Sequence, residues 1–301
     1  LLQDDCFSSI LGFGIRVFVS VKMLITGGGG MLGRTIRSRL DECVWISPSS
    51  AELDIRDGAA TMRYLETEKP SVVVHCAAAT QVDRCESERD WAFDVNAQGS
   101  ENVARAAHAV GARVIAFSTD YVFSGEGRLP YGEEAPTSPK TVYGQSKLDG
   151  EQAIAREASD HLIARVSWLY GPGGPSFVHT MMRLGAQAGE PLKVVEDQVG
   201  GPTSTLVLAD ALRTILKTDA RGIVHLTCAG EASWFDLAKA TFEIRGLGRA
   251  LVPCSTVEFP RPAPRPLNSR LDNTRSVALG VGPLPHWRDA LSSFLEMYPN
   301  G

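Results

Sequence analysis

Tyr143 and Lys147 stand four residues apart in Tyr143-Gly144-Gln145-Ser146-Lys147, and Thr119 lies 24 residues before the tyrosine. On a helix this spacing places the phenol and the ammonium on one face, about one turn apart. An ammonium beside a phenol favours the phenolate, so the phenol pKa is expected to fall. Such a phenol gives up and recovers a proton near neutral pH. The Thr119 hydroxyl can hydrogen-bond the same substrate oxygen. The three groups equip a site to move a proton on or off a carbonyl oxygen while a cofactor moves a hydride. Alone, Tyr-x-x-x-Lys is more often a plain surface pair on a helix, so the surrounding elements must decide.

Those elements alternate. Apolar runs at 23–26, 44–47, 71–79, 112–120 and 161–170 predict strands. Helical patterns fall between them at 31–40, 61–66, 91–110 and 143–157. Strands alternating with helices predict an α/β fold, a doubly wound parallel Rossmann sheet covered on both faces. After 170 the character changes. The loop Gly171-Pro172-Gly173-Gly174-Pro175 is followed by strand-like 192–195 and 222–227, helical 206–217, 234–245 and 287–298, and a proline-dense stretch at 259–271. The expected division is a dinucleotide-binding domain over 23–170 with 205–228, and a smaller carboxyl-terminal substrate-binding cap over 171–204 with 229–301. Residues 1–22 read as a peripheral extension. Acidic residues stand where a secretory signal needs basic ones, and Met23 directly precedes the first strand, which makes it the expected natural start.

Thr26-Gly27-Gly28-Gly29-Gly30-Met31-Leu32-Gly33 follows a strand and opens a helix. That context favours a dinucleotide turn over a ligand-free strand-to-helix bend. Glycines let the backbone approach a pyrophosphate, and the helix amino terminus offers free N–H groups and a positive dipole end. The end of the second strand reads Ser47-Pro48-Ser49-Ser50, with no carboxylate for the adenosine ribose. Arg34 and Arg37 lie just past the turn. A 2′-phosphate would meet hydroxyls and Arg34, so NADPH is expected ahead of NADH, unless both arginines are simply solvated helix charges. Asp54 and Ile55 are placed to bracket an adenine ring, or Asp54 is a loop or helix-cap residue before Arg56. Ala77, Ala78 and Ala79 end the third strand with side chains small enough to let the backbone approach a cofactor. Asn96, on the next helix, either ties the fourth-strand backbone near the site or caps a local turn.

Composition bounds the rest. The 301 residues are 44% hydrophobic and 22% charged, with a net charge of −5 and no Lys/Arg run, so neither nucleic acid nor an anionic membrane is an expected partner. Six scattered cysteines include no C-x-x-C pair and no zinc spacing, which fits reduced thiols in a cytoplasmic protein. No metal site is visible from spacing.

The motifs together resemble the extended short-chain dehydrogenase/reductase superfamily. The intervening stretches CESERDWAFDVNAQGSENVARAA, FSTDYVFSG, VYGQSKLDGE, RVSWLYG, EDQVGGPTS and FPRPAPRPLNSRLD resemble the dTDP-4-dehydrorhamnose reductase family from about Met23 onward. The resemblance implies Tyr143 as general acid, Lys147 as its electrostatic partner and ribose ligand, and Thr119 as the residue orienting the substrate carbonyl. It implies Gly30, Met31 and Leu32 over the pyrophosphate, and Asp120 and Trp168 against the substrate sugar. Arg265 and Asn268 would line the nucleotide-sugar side. Some members of the family bind Mg2+ between subunits through glutamates that have no recognisable counterpart here. The implied protein is a monomer or homodimer that reduces the C4 ketone of dTDP-4-dehydro-L-rhamnose. Three rivals are weighed. A dehydratase would carry Thr-Asp-Glu where this chain has Thr119-Asp120-Tyr121. A 4-ketoreductase for another dTDP-deoxysugar shares the chemistry. A non-catalytic regulatory subunit of the methionine adenosyltransferase type would not need Trp168 or the Asp197-Gln198 loop.

Overall fold

The computed structural model describes residues 21–299. The expected extension therefore lies, but for its last two residues, outside the described residues. The first strand begins at Lys22, which pairs with Val44 and makes an ion pair to Glu68. The dinucleotide half runs β1 (Lys22–Thr26), α1 (Met31–Arg39), β2 (Val44–Ile46), α2 (Gly58–Glu68), β3 (Val72–His75), α3 (Val82–Ser87), α4 (Arg89–Phe93), α5 (Gly99–Ala109), β4 (Arg113–Thr119), α6 (Val142–Glu157) and β5 (His161–Val166). A sixth strand, Gly222–His225, completes the sheet. The order across it is Gly222–His225, β5, β4, β3, β1, β2, with every neighbouring pair parallel.

Strand periodicity explains the two covered faces. Met23 and Ile25 of β1 pack with Ile36, Leu208 and Leu212, while Leu24 between them packs with Val103, Ala107 and Ile154. Val74 and Val73, and Ile115 and Val114, divide the same way. Each fully buried Val, Leu or Ile removes apolar area worth about 1.5–3 kcal/mol, so both covered faces hold the sheet together. The chain leaves β1 for β2 on one side and returns to β3 on the other. The carboxyl ends of β1 and β3 therefore flank the switch point of the sheet, where doubly wound folds bind ligands.

Three sequence expectations need correction. The third strand ends at His75, and Ala77–Ala79 continue beyond it outside the sheet. The helix expected over 91–110 is interrupted by a π-helical segment, Asp94–Gln98, which carries Asn96. The strand expected over 161–170 stops at Val166, because Trp168 adopts a left-handed φ of 49°. Leu169–Tyr170 then pairs with Thr203–Ser204 in a separate two-stranded sheet. The helices α3 and Phe177–Gly185 are additional to those expected. Past β5, the helices Phe177–Gly185, Trp234–Arg245 and Trp287–Met297 contribute to a further apolar cluster that includes Tyr170, Leu237, Leu291 and Phe294. Among the described residues no helix is long and apolar enough to cross a membrane.

Candidate active site

The glycine turn closes the gap between β1 and α1. Gly27 has a φ of 67°, and a Cβ there would lie 2.5 Å from the Ala77 nitrogen. A Cβ on Gly33 would lie 2.5 Å from the Gly27 oxygen and 2.7 Å from Gly28 Cα. Side chains at either place would push the turn off β3 or off its own helix. Gly30 is the N-cap of α1 without a side-chain cap, and the first turn holds no acidic residue. The positive end of the helix is therefore neither capped nor neutralised by its own side chains. Gly29 is exposed and a Cβ there would meet nothing within 4 Å. This turn at the switch point suits the pyrophosphate of a dinucleotide. The loop at 171–175 lies over its edge: a Cβ on Gly174 would be 2.7 Å from Met31 Cβ, and Arg34 donates to the Gly173 oxygen at 3.5 Å. Leu32 is half-buried against the sheet core.

Asp54 is half-exposed and takes three hydrogen bonds from the Arg56 guanidinium and one from its backbone N–H, which hold its carboxyl below the usual range. Neighbouring Ile55 is buried, and its carbonyl accepts from Asn102 Nδ2 at 2.9 Å. Asn96 is fully buried. Its Oδ1 accepts from the Ala79 nitrogen at 2.8 Å, and its Nδ2 donates to the Ala79 oxygen at 3.1 Å and to Ser146 Oγ at 2.9 Å. It thus ties the segment after β3 to α6, not the fourth-strand backbone. Its amide is engaged by protein on both ends.

Thr119 ends β4 and Tyr143 begins α6. Thr141 caps that helix by accepting from the Gly144 nitrogen at 2.9 Å, and Val142 N–H donates to Glu86 at 2.9 Å. Tyr143 is 9% exposed and packs edge-on against Tyr121, ring centroids 5.4 Å apart. Burial raises its phenol pKa, and the Asp120 and Cys85 charges add to the rise; a hydrogen bond with Thr119 opposes them. The lowering expected from Lys147 is overturned. The ammonium turns toward the sheet and donates to the Phe117 oxygen at 2.8 Å. Burial pulls its pKa down to about 8, against an opposing pull from Glu151.

Asp120 is 5% exposed, its carboxyl pushed up to about 6 by burial and drawn back by Ser269 and Thr119. Its Oδ1 accepts from the Thr119 hydroxyl at 3.0 Å, while Oδ2 is buried without a hydrogen-bond partner. Trp168 stacks on Trp234, centroids 3.5 Å apart and planes 5° off parallel. The Trp234 indole donates to Gln198 at 3.0 Å. Arg265 pairs with Asp83 at 2.9 Å and borders a cleft of about 230 Å³ that Tyr121, Phe123, Lys140 and Thr141 also line. Asn268 is buried; it donates to the Leu129 oxygen and accepts from Arg270 Nε, each at 2.8 Å. Its side chain is thereby committed to holding loops together. Sequence reasoning missed Tyr121, Asp83 and Ser146. Tyr121 is adjacent to Asp120 and was legible as an aromatic beside the site, whereas Asp83 and Ser146 act through contacts far apart in the chain. Among the described residues no group of three or more His, Cys, Asp or Glu side chains is arranged to hold a metal ion.

The parallel sheet, the glycine turn at its switch point and the buried Thr-Tyr-Lys group define a short-chain dehydrogenase/reductase of the extended type. The family model described as "RmlD substrate binding domain" matches residues 21–299. A dTDP-4-dehydrorhamnose reductase of Streptomyces griseus is 44% identical over 92% of this chain and 93% of its own length. That of Mycolicibacterium smegmatis is 43% identical over 90% of this chain and 84% of its own length. The crystal structure of the Bacillus anthracis dTDP-4-dehydrorhamnose reductase in complex with NADP superposes with a TM-score of 0.90 at 35% identity, covering 93% of this chain and all (100%) of that one. The chain belongs to the dTDP-4-dehydrorhamnose reductase family.

Proposed function

We propose that this protein reduces the C4 ketone of dTDP-4-dehydro-L-rhamnose to the alcohol of dTDP-L-rhamnose, with NADPH as the preferred reductant. The observation that carries the reading is the buried pair of Thr119, at the carboxyl end of β4, and Tyr143, on the helix that also carries Lys147, in a family whose members bear this reaction in their name. The turn from Gly27 to Gly33, with Met31 and Leu32 at the start of α1, would hold the cofactor pyrophosphate. Ala77 to Ala79 would line the crevice opposite. Asp54 and Ile55 would border the adenine, and Lys147 would meet the ribose. When bound, the reduced nicotinamide supplies the hydride to the carbonyl carbon.

The residues of the chain do the remaining work. As negative charge grows on the carbonyl oxygen, the Thr119 hydroxyl donates to it and Tyr143 gives its proton. A phenol whose pKa is raised by burial keeps its proton at neutral pH, which is the form a reduction requires. Lys147, charged below about pH 8, offsets the phenolate left behind. Asp120 can accept a sugar hydroxyl through its unpartnered Oδ2. Trp168 on its Trp234 backing gives an apolar platform for the sugar face. Arg265 and Asn268 border the nucleotide side. Asn96 acts through the segments it holds, not on the cofactor directly. The elements from 171–204 and 229–301 serve as the substrate-binding cap, in a cytoplasmic enzyme that works as a monomer or homodimer.

The preference for NADPH rests on Ser47 and Arg34. No carboxylate stands at 47–50 to repel a 2′-phosphate, and Gly28 lies against the Ser47 hydroxyl. A second reading, reduction of a different 4-keto deoxysugar, is favoured by one relative. A probable dTDP-4,6-dihydroxy-2-methyloxan-3-one 4-ketoreductase of Streptomyces antibioticus is 39% identical over 93% of this chain and 95% of its own length. The test is a direct assay: supply dTDP-4-dehydro-L-rhamnose and follow reduced-nicotinamide absorbance with NADPH and NADH in parallel. Turnover faster with NADPH supports the proposal. Absence of turnover with either cofactor refutes it, and an NADH preference of about tenfold or more in kcat/KM refutes the cofactor assignment.

A further inference from the structure

Lys147 and Glu151 follow one another at helical i, i+4 spacing on α6, and both are buried, 7% and 4% exposed. Across from them, Arg165 of β5 is 2% exposed and grips the Glu151 carboxylate with two bonds, Nε to Oε1 at 2.9 Å and Nη2 to Oε2 at 2.7 Å. The guanidinium also lies over the Phe123 ring, 5.1 Å from its centroid, and Phe123 lines the cleft beside Tyr121. We propose that Glu151 and Arg165 are positioning residues for Lys147: the guanidinium fixes a carboxylate one turn beyond the ammonium, and that carboxylate keeps the ammonium charged inside the protein. The inference rests on the reading of Lys147 as a working residue of the site.

The energetics favour a purpose beyond cohesion. A fully buried ion pair recovers its desolvation cost only with excellent geometry, and apolar side chains of similar volume commonly serve stability as well or better. The groups facing Lys147 from each packed element are few. From α6 it is Glu151. From β3 they are His75, which burial holds neutral with a pKa of about 3, and Cys76, a thiol raised to about 12. From β4 comes the Phe117 carbonyl, and from β5, beyond the carboxylate, Arg165. Among these groups Glu151 is the one carboxylate. Arg165 holds the Glu151 carboxylate in one orientation through two bonds. A lone buried carboxylate would be free to take up a proton instead.

The test reads the ammonium itself. The full chain is labelled with ε-13C lysine, and the Lys147 resonance is assigned by its disappearance in Lys147→Arg. The wild-type resonance should titrate near about 8. In Glu151→Gln the midpoint should fall by about one pH unit or more, because the carboxylate is gone and the Arg165 cation is left buried and unpaired. In Arg165→Met it should also fall, though by less, because the freed carboxylate takes up a proton or turns away while a nearby cation is lost. The double variant Glu151→Gln/Arg165→Met removes the unpaired cation and should fold even where Glu151→Gln does not; its midpoint should lie below the wild-type value. The alkaline limb of kcat/KM should follow each midpoint. An unmoved midpoint in the double variant, or a midpoint in Arg165→Met at or above the wild-type value, would overturn the proposal. A wild-type protein that titrates as described but reduces no ketone would refute the functional reading and leave this pair standing.

Discussion

Asn96 grips the backbone of Ala79 from both sides, accepting from its nitrogen at 2.8 Å and donating to its oxygen at 3.1 Å. The same side chain reaches Ser146 on α6, whose hydroxyl donates to the Tyr143 carbonyl at 2.9 Å. One buried amide thus sets the distance between the segment that leaves β3 and the helix that carries the proton donor. Replacing Asn96 by Ala strands the N–H of Ala79 and leaves its C=O only the weak Cys85 thiol donor at 3.6 Å. We expect a loss of about 2–4 kcal/mol in denaturant unfolding, since each buried unsatisfied group costs about 1–3 kcal/mol. A loss under about 0.5 kcal/mol, the range of ordinary surface substitutions, would contradict this role.

The glycine turn separates a structural need from a binding need. Gly33→Ala places a Cβ within 2.7 Å of two backbone atoms, so melting of the protein without cofactor should fall. Gly29→Ala meets no atom within 4 Å and should leave that melting temperature unchanged. It should still weaken NADPH binding, by about tenfold, because backbone approach to the pyrophosphate is what the open glycines provide. Titration calorimetry beside thermal melting distinguishes the two. Equal NADPH affinity in Gly29→Ala and wild type would place the pyrophosphate elsewhere.

Asp120 predicts a pH-dependent stability difference. Its folded pKa of about 6 exceeds the ordinary 3.8, so the folded state binds the proton more tightly than the unfolded state. Folding is therefore disfavoured by this group as pH rises from about 4 through 6, and the full cost persists above that window. The shift corresponds to about 3 kcal/mol. Asp120→Asn should be more stable than wild type at neutral pH by about 1–3 kcal/mol, with the gain shrinking as pH falls below about 6 and gone below about pH 4. A gain that does not vary with pH would show that burial of the charge is not its origin.

Much of this architecture is legible in the chain because local signals agreed with the fold. The alternating apolar runs marked the five amino-proximal strands, four of them largely buried and rich in apolar residues, with β2 the more exposed edge. The helix at 234–245 was bounded as found, because Ser233 and Asp236 form a capping box and Gly246 adopts the left-handed cap. Failures came where tertiary contacts overrode local pattern. Val166 to Tyr170 continues an apolar run, yet Trp168 turns left-handed and the chain changes sheets. Spacing placed Tyr143 and Lys147 on one helix correctly, but burial, which sequence does not show, raised the phenol pKa instead of lowering it. Asn96 was expected to tie the fourth-strand backbone or cap a local turn, but its partners are Ala79, seventeen residues earlier, and Ser146, contacts that span too much chain for local pattern to show.

The central claim is that Tyr143 supplies the proton to the reduced carbonyl oxygen. Tyr143→Phe keeps the ring and its contact with Tyr121 while removing the hydroxyl. Steady-state reduction of dTDP-4-dehydro-L-rhamnose by wild type and variant should show kcat lower by about 10²–10⁴-fold, with KM changed far less. Turnover near the wild-type rate in Tyr143→Phe would contradict the account.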